Sequence, residues 1–140
     1  VPIWYHNSTY RFRLTIPKWW RKHVFVEETA CGLKDARACI RFKLRYRKSI
    51  NGVVSTPIFD LIVFNMSKRN WDARYKDSPL QFIASSKKVV YAALTPGEPP
   101  DEFLLPDQTD YNRRLREFKY LSRMINRDLP EILKSFQLCK

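Results

Sequence analysis

The sequence predicts a single α+β domain over residues 1–140, a mostly antiparallel sheet of about six strands flanked by short helices and a C-terminal helix pair. Three observations predict it. Apolar residues alternate with mostly basic ones through 10–16 and again through 38–47, the period-two mark of strands with one side on a core. Asn51-Gly52 interrupts the β-rich chain after the second run, and this dipeptide accepts the positive φ angles that a two-residue hairpin turn demands. Behind a loop holding Pro96, Gly97, Pro99, Pro100 and Pro106, the residues Tyr111, Leu115, Phe118, Leu121 and Ile125 step by about one helical turn and make an apolar stripe.

Asn7 suits a turn ahead of the first strand, 10–16, where Tyr10, Phe12, Leu14 and Ile16 face inward and Arg11, Arg13 and Thr15 outward. Pro17 ends that strand and is well placed to start a short helical turn over 17–22 that presents Trp19 or Trp20 to the core. A second strand follows at 23–29, closing near Cys31-Gly32, and 33–37 is a connection. In the third strand Ile40, Phe42, Leu44 and Tyr46 face one way, while Cys39, Arg41, Lys43, Arg45 and Arg47 make an almost wholly basic outer side. The fourth, 56–65, is nearly continuously apolar and reads as a central strand covered on both faces. Asp60 interrupts it, and a carboxylate there belongs at the strand entrance or beside an arginine of the neighbouring strand. Ser67 suits the N-cap of a short helix carrying Trp71 and Tyr75. Strands at 80–84 and 89–94 complete the sheet. The long helix is expected to begin around Asp107, Thr109 and Asp110, and Asp128 with Pro130 to open a last helix over 129–138, pinned by Ile132, Leu133 and Phe136.

The order Tyr5, Asn7, Tyr10, Phe12, Leu14, Pro17, Trp20 resembles the opening of small extracytoplasmic proteins and lipoproteins of Gram-positive bacteria. The apolar strand leading into a helix with Trp71 is a second, looser echo of that group. The opening is also similar to the superfamily that holds the photosystem II extrinsic PsbP protein and the Mog-type Ran-release factors. The resemblance implies a PsbP-like antiparallel sheet flanked by helices, in a secreted or membrane-anchored protein. It implies no site, because members of that superfamily serve unrelated tasks on one scaffold.

A chain of 140 residues buries roughly two-thirds of its unfolded surface in one core, so no disulfide framework is required. Its formal net charge of +12 and pI near 9.9 favour encounters with polyanions: nucleic acid, anionic lipid surfaces, or the anionic polymers of a Gram-positive wall. The same charge also serves plain solubility. No apolar run approaches the roughly 20 residues that cross a bilayer. The chain opens on Val1 rather than Met, and the expectation is a mature segment freed of its leader.

Cys31 and Cys39 are spaced to close a disulfide across the link between two strands, with Cys139 left over; three reduced thiols in a cytosolic protein are the alternative. Neither cysteine sits in a nucleophile motif with His6 or His23, and these residues show no metal-ligand spacing. Glu27, Glu28, Glu98, Asp101 and Glu102 fall at strand ends or in the proline-rich loop, where carboxylates stay solvated. With only three glycines there is no phosphate-cradling loop. Asn7-Ser8-Thr9 and Asn65-Met66-Ser67 match the glycosylation sequon but carry no meaning in a bacterial protein. The candidate surface is therefore the basic side: Arg11 and Arg13 on one strand with Arg41, Lys43, Arg45 and Arg47 on another, continuous if those strands are neighbours, and extended by Arg113, Arg114 and Arg116. The competing expectation is a helix lying over that face, with the long side chains running along it. The sequence thus points to a non-catalytic extracytoplasmic binding or accessory module without a cofactor, its partner an anionic polymer or another envelope protein. The alternatives are a module for nucleic acid or another polyanion on the basic strands, and a small hydrolase.

Overall fold

The computed structural model describes residues 1–139. In chain order the elements are β1 (Ile3–Asn7), β2 (Phe12–Ile16), a 3-10 turn (Lys18–Lys22), β3 (Val24–Thr29), β4 (Ala36–Ile50), β5 (Val53–Phe64), α1 (Lys68–Tyr75), β6 (Gln81–Ser86) and β7 (Val89–Leu94). A second 3-10 turn (Asp101–Phe103) precedes α2 (Arg116–Arg123), a π turn (Met124–Asp128), α3 (Leu129–Lys134) and β8 (Gln137–Leu138). Among these residues the architecture is α+β with every strand pair antiparallel, and in place of one sheet of about six strands there are two, of five strands (β3-β4-β5-β7-β6) and three (β1-β2-β8).

The long β4–β5 hairpin is the spine. Asn51 and Gly52 take φ of +50° and +81°, the primed-turn geometry that matches strand twist, and bring Ile50 opposite Val53. Pro57 has no amide for the ladder, and the register slips by one residue there, so that Lys43 faces Pro57 and Phe42 faces Phe59. From Ile58 to Phe64 every side chain of β5 is buried, as its apolar run predicts. The inner face meets the small sheet: Phe12, Leu14 and Ile16 of β2 share a core with Ile40, Phe42, Leu44, Phe59 and Leu61. The outer face carries a second core of Cys39, Ile62, Phe64, Val90 and Ala92 beneath Trp71 of α1. The amide of Asn70 donates to Ser67 Oγ at 3.2 Å, the expected N-cap.

The extra strands come from both ends of the chain. Asn7, expected in a turn, closes β1: its Oδ1 accepts from the Tyr10 amide at 3.0 Å, and the chain reverses tightly enough for Ile3 to reach Ile16. The last helix was expected to run to Leu138; it stops at Lys134, because the Ser135 hydroxyl accepts from the Thr15 amide at 2.8 Å and carries the chain on as β8, with Leu138 opposite Phe12.

The long helix also starts later than its stripe suggests. Residues 104–115 stay irregular, held by a Leu104–Tyr111 bridge and by the Asn112 amide donating to the Phe103 carbonyl at 2.7 Å. The expected helix pair is one continuous run, α2 through the π turn into α3, with Met124 and Leu129 both right-handed helical at the junctions. The wide turn lies directly ahead of Pro130, whose missing amide and bulky ring demand relief in the preceding turn. Asp128 is accordingly no N-cap. Its Oδ2 accepts from the indole N–H of Trp19 at 2.9 Å and of Trp20 at 2.8 Å, tying the first 3-10 turn to the helix. Among the described residues no helix is long and apolar enough to cross a membrane.

Candidate functional site

Alternation along β4 sends Ile40, Phe42, Leu44 and Tyr46 into the inner core, and so turns Arg41, Lys43, Arg45 and Arg47 outward. The register with β3 sets Glu27 opposite Arg41 and Phe25 opposite Lys43. On the other side β5 sets Asp60 opposite Arg41 and Ser55 opposite Arg45.

These neighbours divide the row. Arg41 is spent on structure: its Nε and Nη2 donate to the two oxygens of Asp60 at 2.8 and 3.0 Å, which, with that bond as the first cause, hold the guanidinium above its ordinary range. This is the arginine partner that a carboxylate inside β5 requires. Lys43 reaches Glu27 Oε1 at 3.5 Å, a looser and wetter pair. Arg45 has a different neighbour. Its guanidinium lies 4.7 Å over the Phe25 ring, and the Lys43 ammonium lies 5.7 Å over the same ring. Arg45, Arg47 and Lys48 are exposed, and among the described residues none of them has a carboxylate within ion-pairing distance. The result is a cationic strip on an aromatic floor, running toward the Asn51-Gly52 turn.

The expected continuous stripe does not form. Arg13 belongs to the other sheet: Phe12 and Leu14 pack against the inner face of β4, so Arg13 leaves on the far side of the molecule. There its Nε donates to Gln137 Oε1 at 2.9 Å and its guanidinium lies 4.4 Å over Trp4. Arg11 is outside β2, in the turn before it, with a left-handed φ of +58°. Ahead of α2, Arg113 pairs with Asp110 at 2.7 Å and Arg114 is exposed, while Arg116 at the helix start pairs with the buried Glu117 at 2.8 Å. The helix expected over the basic face covers only part of it: α1 sits on Ile62 and Phe64, and the half of β4 holding Arg45 is left open.

Cys31 and Cys39 do come together, Cys31 packing against the core that holds the buried Cys39, but without the expected disulfide; all three cysteines are free. Burial is the first cause pushing both thiols up, which starves the pair of the thiolate that exchange chemistry needs. His23 is elsewhere, with its ring 4.9 Å from Tyr120 and 6.0 Å from Trp19, so no cysteine–histidine pair is assembled with it. Its titration is lowered, by burial first and then by Arg116.

Sequence reasoning anticipated an arginine beside Asp60 but missed Phe25 and the part Glu27 plays in neutralising Lys43. The alternation of 23–29 puts Phe25 and Glu27 on one face, but only the cross-strand register shows which arginine each one meets. No protein-family model, curated protein or solved structure matches this chain at a significant level.

Proposed function

We propose that the chain is a non-catalytic binding or accessory module of bacterial, extracytoplasmic origin on a PsbP-like scaffold, and that it engages an anionic polymer of the cell envelope through Phe25, Lys43, Arg45 and Arg47. One observation carries this reading: Arg45 and Arg47 are exposed cations without acidic partners among the described residues, beside a ring that already stacks a guanidinium. Arginines left unpaired in a protein of net charge +12 retain their full attraction for phosphate, and counterion release makes that attraction strongly salt-dependent. The aromatic floor gives the strip a stacking surface as well, and this keeps single-stranded nucleic acid as the second reading.

Binding to a poly(glycerol phosphate) and to single-stranded DNA, each measured across a salt series, tests both. The expected outcome is tighter binding to the wall-type polymer and a double variant Arg45→Ala/Arg47→Ala whose salt slope is shallower by about 1.5, near 0.7–0.9 for each lost phosphate contact. Tighter binding to the DNA, further weakened by Phe25→Ala, selects the second reading. An unchanged slope in the double variant refutes both.

A further inference from the structure

A second cationic site lies between the two sheets, away from the strip. Where the turn into β2 and the β8 edge of the small sheet meet the large sheet there is a cleft of about 550 Å³, lined by the apolar Val63 and Tyr91 and by Arg11, Arg37, Thr9 and Ser86. That volume falls in the range of small-molecule pockets. Among the described residues none lining the cleft is acidic, and neither Arg11 nor Arg37 has an ion-pair partner. Both guanidiniums are close enough to the Tyr91 hydroxyl to favour its ionised form, although burial is the first cause and pushes that phenol up. Arg37 also lies 5.3 Å over the ring of Tyr10, whose hydroxyl donates to Glu28 at 3.2 Å.

The backbone holds Arg11 in place against its own preference. A φ of +58° costs a residue with a Cβ about 1–2 kcal/mol, and glycine or asparagine is the usual occupant. Two bonds impose it: the Tyr91 hydroxyl donates to the Tyr10 carbonyl at 2.6 Å, and the Cys139 amide donates to the Arg11 carbonyl at 2.8 Å. Strained backbone of this kind collects at ligand sites, where surrounding contacts over-determine it.

We propose that this cleft binds a phosphate monoester bearing an apolar or aromatic body, the phosphate lying between Arg11 and Arg37 and the body on Val63 and Tyr91. Two planar guanidiniums offer paired donors to the terminal oxygens of a dianion, and the Thr9 and Ser86 hydroxyls stand by to complete its shell. The cleft and the strip are independent. Arg37 and Arg45 are eight residues apart on β4, roughly 26 Å of strand, and the register shift between Ala36 and Ala38 takes Arg37 out of the alternation that aims Arg45 outward.

Titration calorimetry with phenyl phosphate, inorganic phosphate and benzoate tests the site on the full chain. Phenyl phosphate is expected to bind saturably, inorganic phosphate more weakly for want of a body, and benzoate weakest. Arg11→Gly removes the guanidinium where glycine accepts the backbone, so it should keep or raise the melting temperature while weakening phenyl phosphate binding by roughly tenfold or more, the usual worth of a charge-assisted hydrogen bond. Arg37→Gln should weaken it likewise, and Arg45→Ala should leave it unchanged. Absent saturable binding, benzoate binding as tightly as phenyl phosphate, or Arg11→Gly and Arg37→Gln both within about twofold of the wild type overturn the proposal. Because the polymer test reads Arg45 and Arg47, either reading can fail while the other stands.

Discussion

Arg41 and Arg45 are four residues apart on one face of one strand, and the structure assigns them opposite roles that a pair of alanine variants separates. Arg41→Ala leaves Asp60, only 8 % exposed, without the two hydrogen bonds at 2.8 and 3.0 Å that compensate its charge. Breaking a buried pair from one side costs about 3–5 kcal/mol, and because the Arg41 side chain keeps 31 % of its exposure, water softens the loss toward the lower end, about 3 kcal/mol. For a chain of this size that is a fall of about 10 °C in melting temperature. The Asp60 charge is what makes the loss large. A double variant Arg41→Met/Asp60→Leu should therefore recover most of the stability, since it leaves no orphaned charge. Differential scanning calorimetry measures all three proteins, and polymer binding below the lowered transition should retain the wild-type salt slope in Arg41→Ala. A melting temperature within about 2 °C of the wild type would refute the structural assignment. A slope that falls as far as in Arg45→Ala/Arg47→Ala would refute the division of the row.

Asp128→Ala strips a charged acceptor from two indole N–H groups, one on the fully buried Trp20, and should cost about 2–3 kcal/mol in urea denaturation; Asp128→Asn keeps an acceptor oxygen and should cost less than half of that. His23 titrates below its ordinary 6.5 in the folded protein, so protonation favours the unfolded chain. Its contribution is whole above pH 6.5 and is lost as the pH falls toward and through the lowered value, and the denaturation midpoint should therefore drop more steeply from pH 7 to 5 in the wild type than in His23→Gln. Equal slopes would remove His23 from the pH dependence.

Much of the local architecture was legible in the residues. The inward set of Phe12, Leu14 and Ile16, the primed turn at Asn51-Gly52, the double burial of β5 and the Ser67 cap all stand as their patterns predict. Each depends on a period or a turn chemistry confined to a few neighbouring residues. Asp60 was legible too, as a charge demanding an arginine. Asp128 misled for an instructive reason: Asp ahead of Pro is a helix-start signal on its own, but the indoles of Trp19 and Trp20, more than a hundred residues earlier, claim its carboxylate.

The sequence alone therefore determined periodicity, turn type and the sign of the surface: which residues face together along one strand, where the chain reverses, and that the whole is strongly cationic. Tertiary structure decided how that charge is used. It placed Arg13 and Arg45 on opposite outer faces, matched Asp60 and Glu27 to two of the cations, set Phe25 beneath a third, and brought Arg11 and Arg37 to one cleft. The physical reason is that a side chain's direction follows from its own strand, whereas its partner follows from strand order and register, which are set by long-range burial of apolar faces that no short stretch of chain encodes.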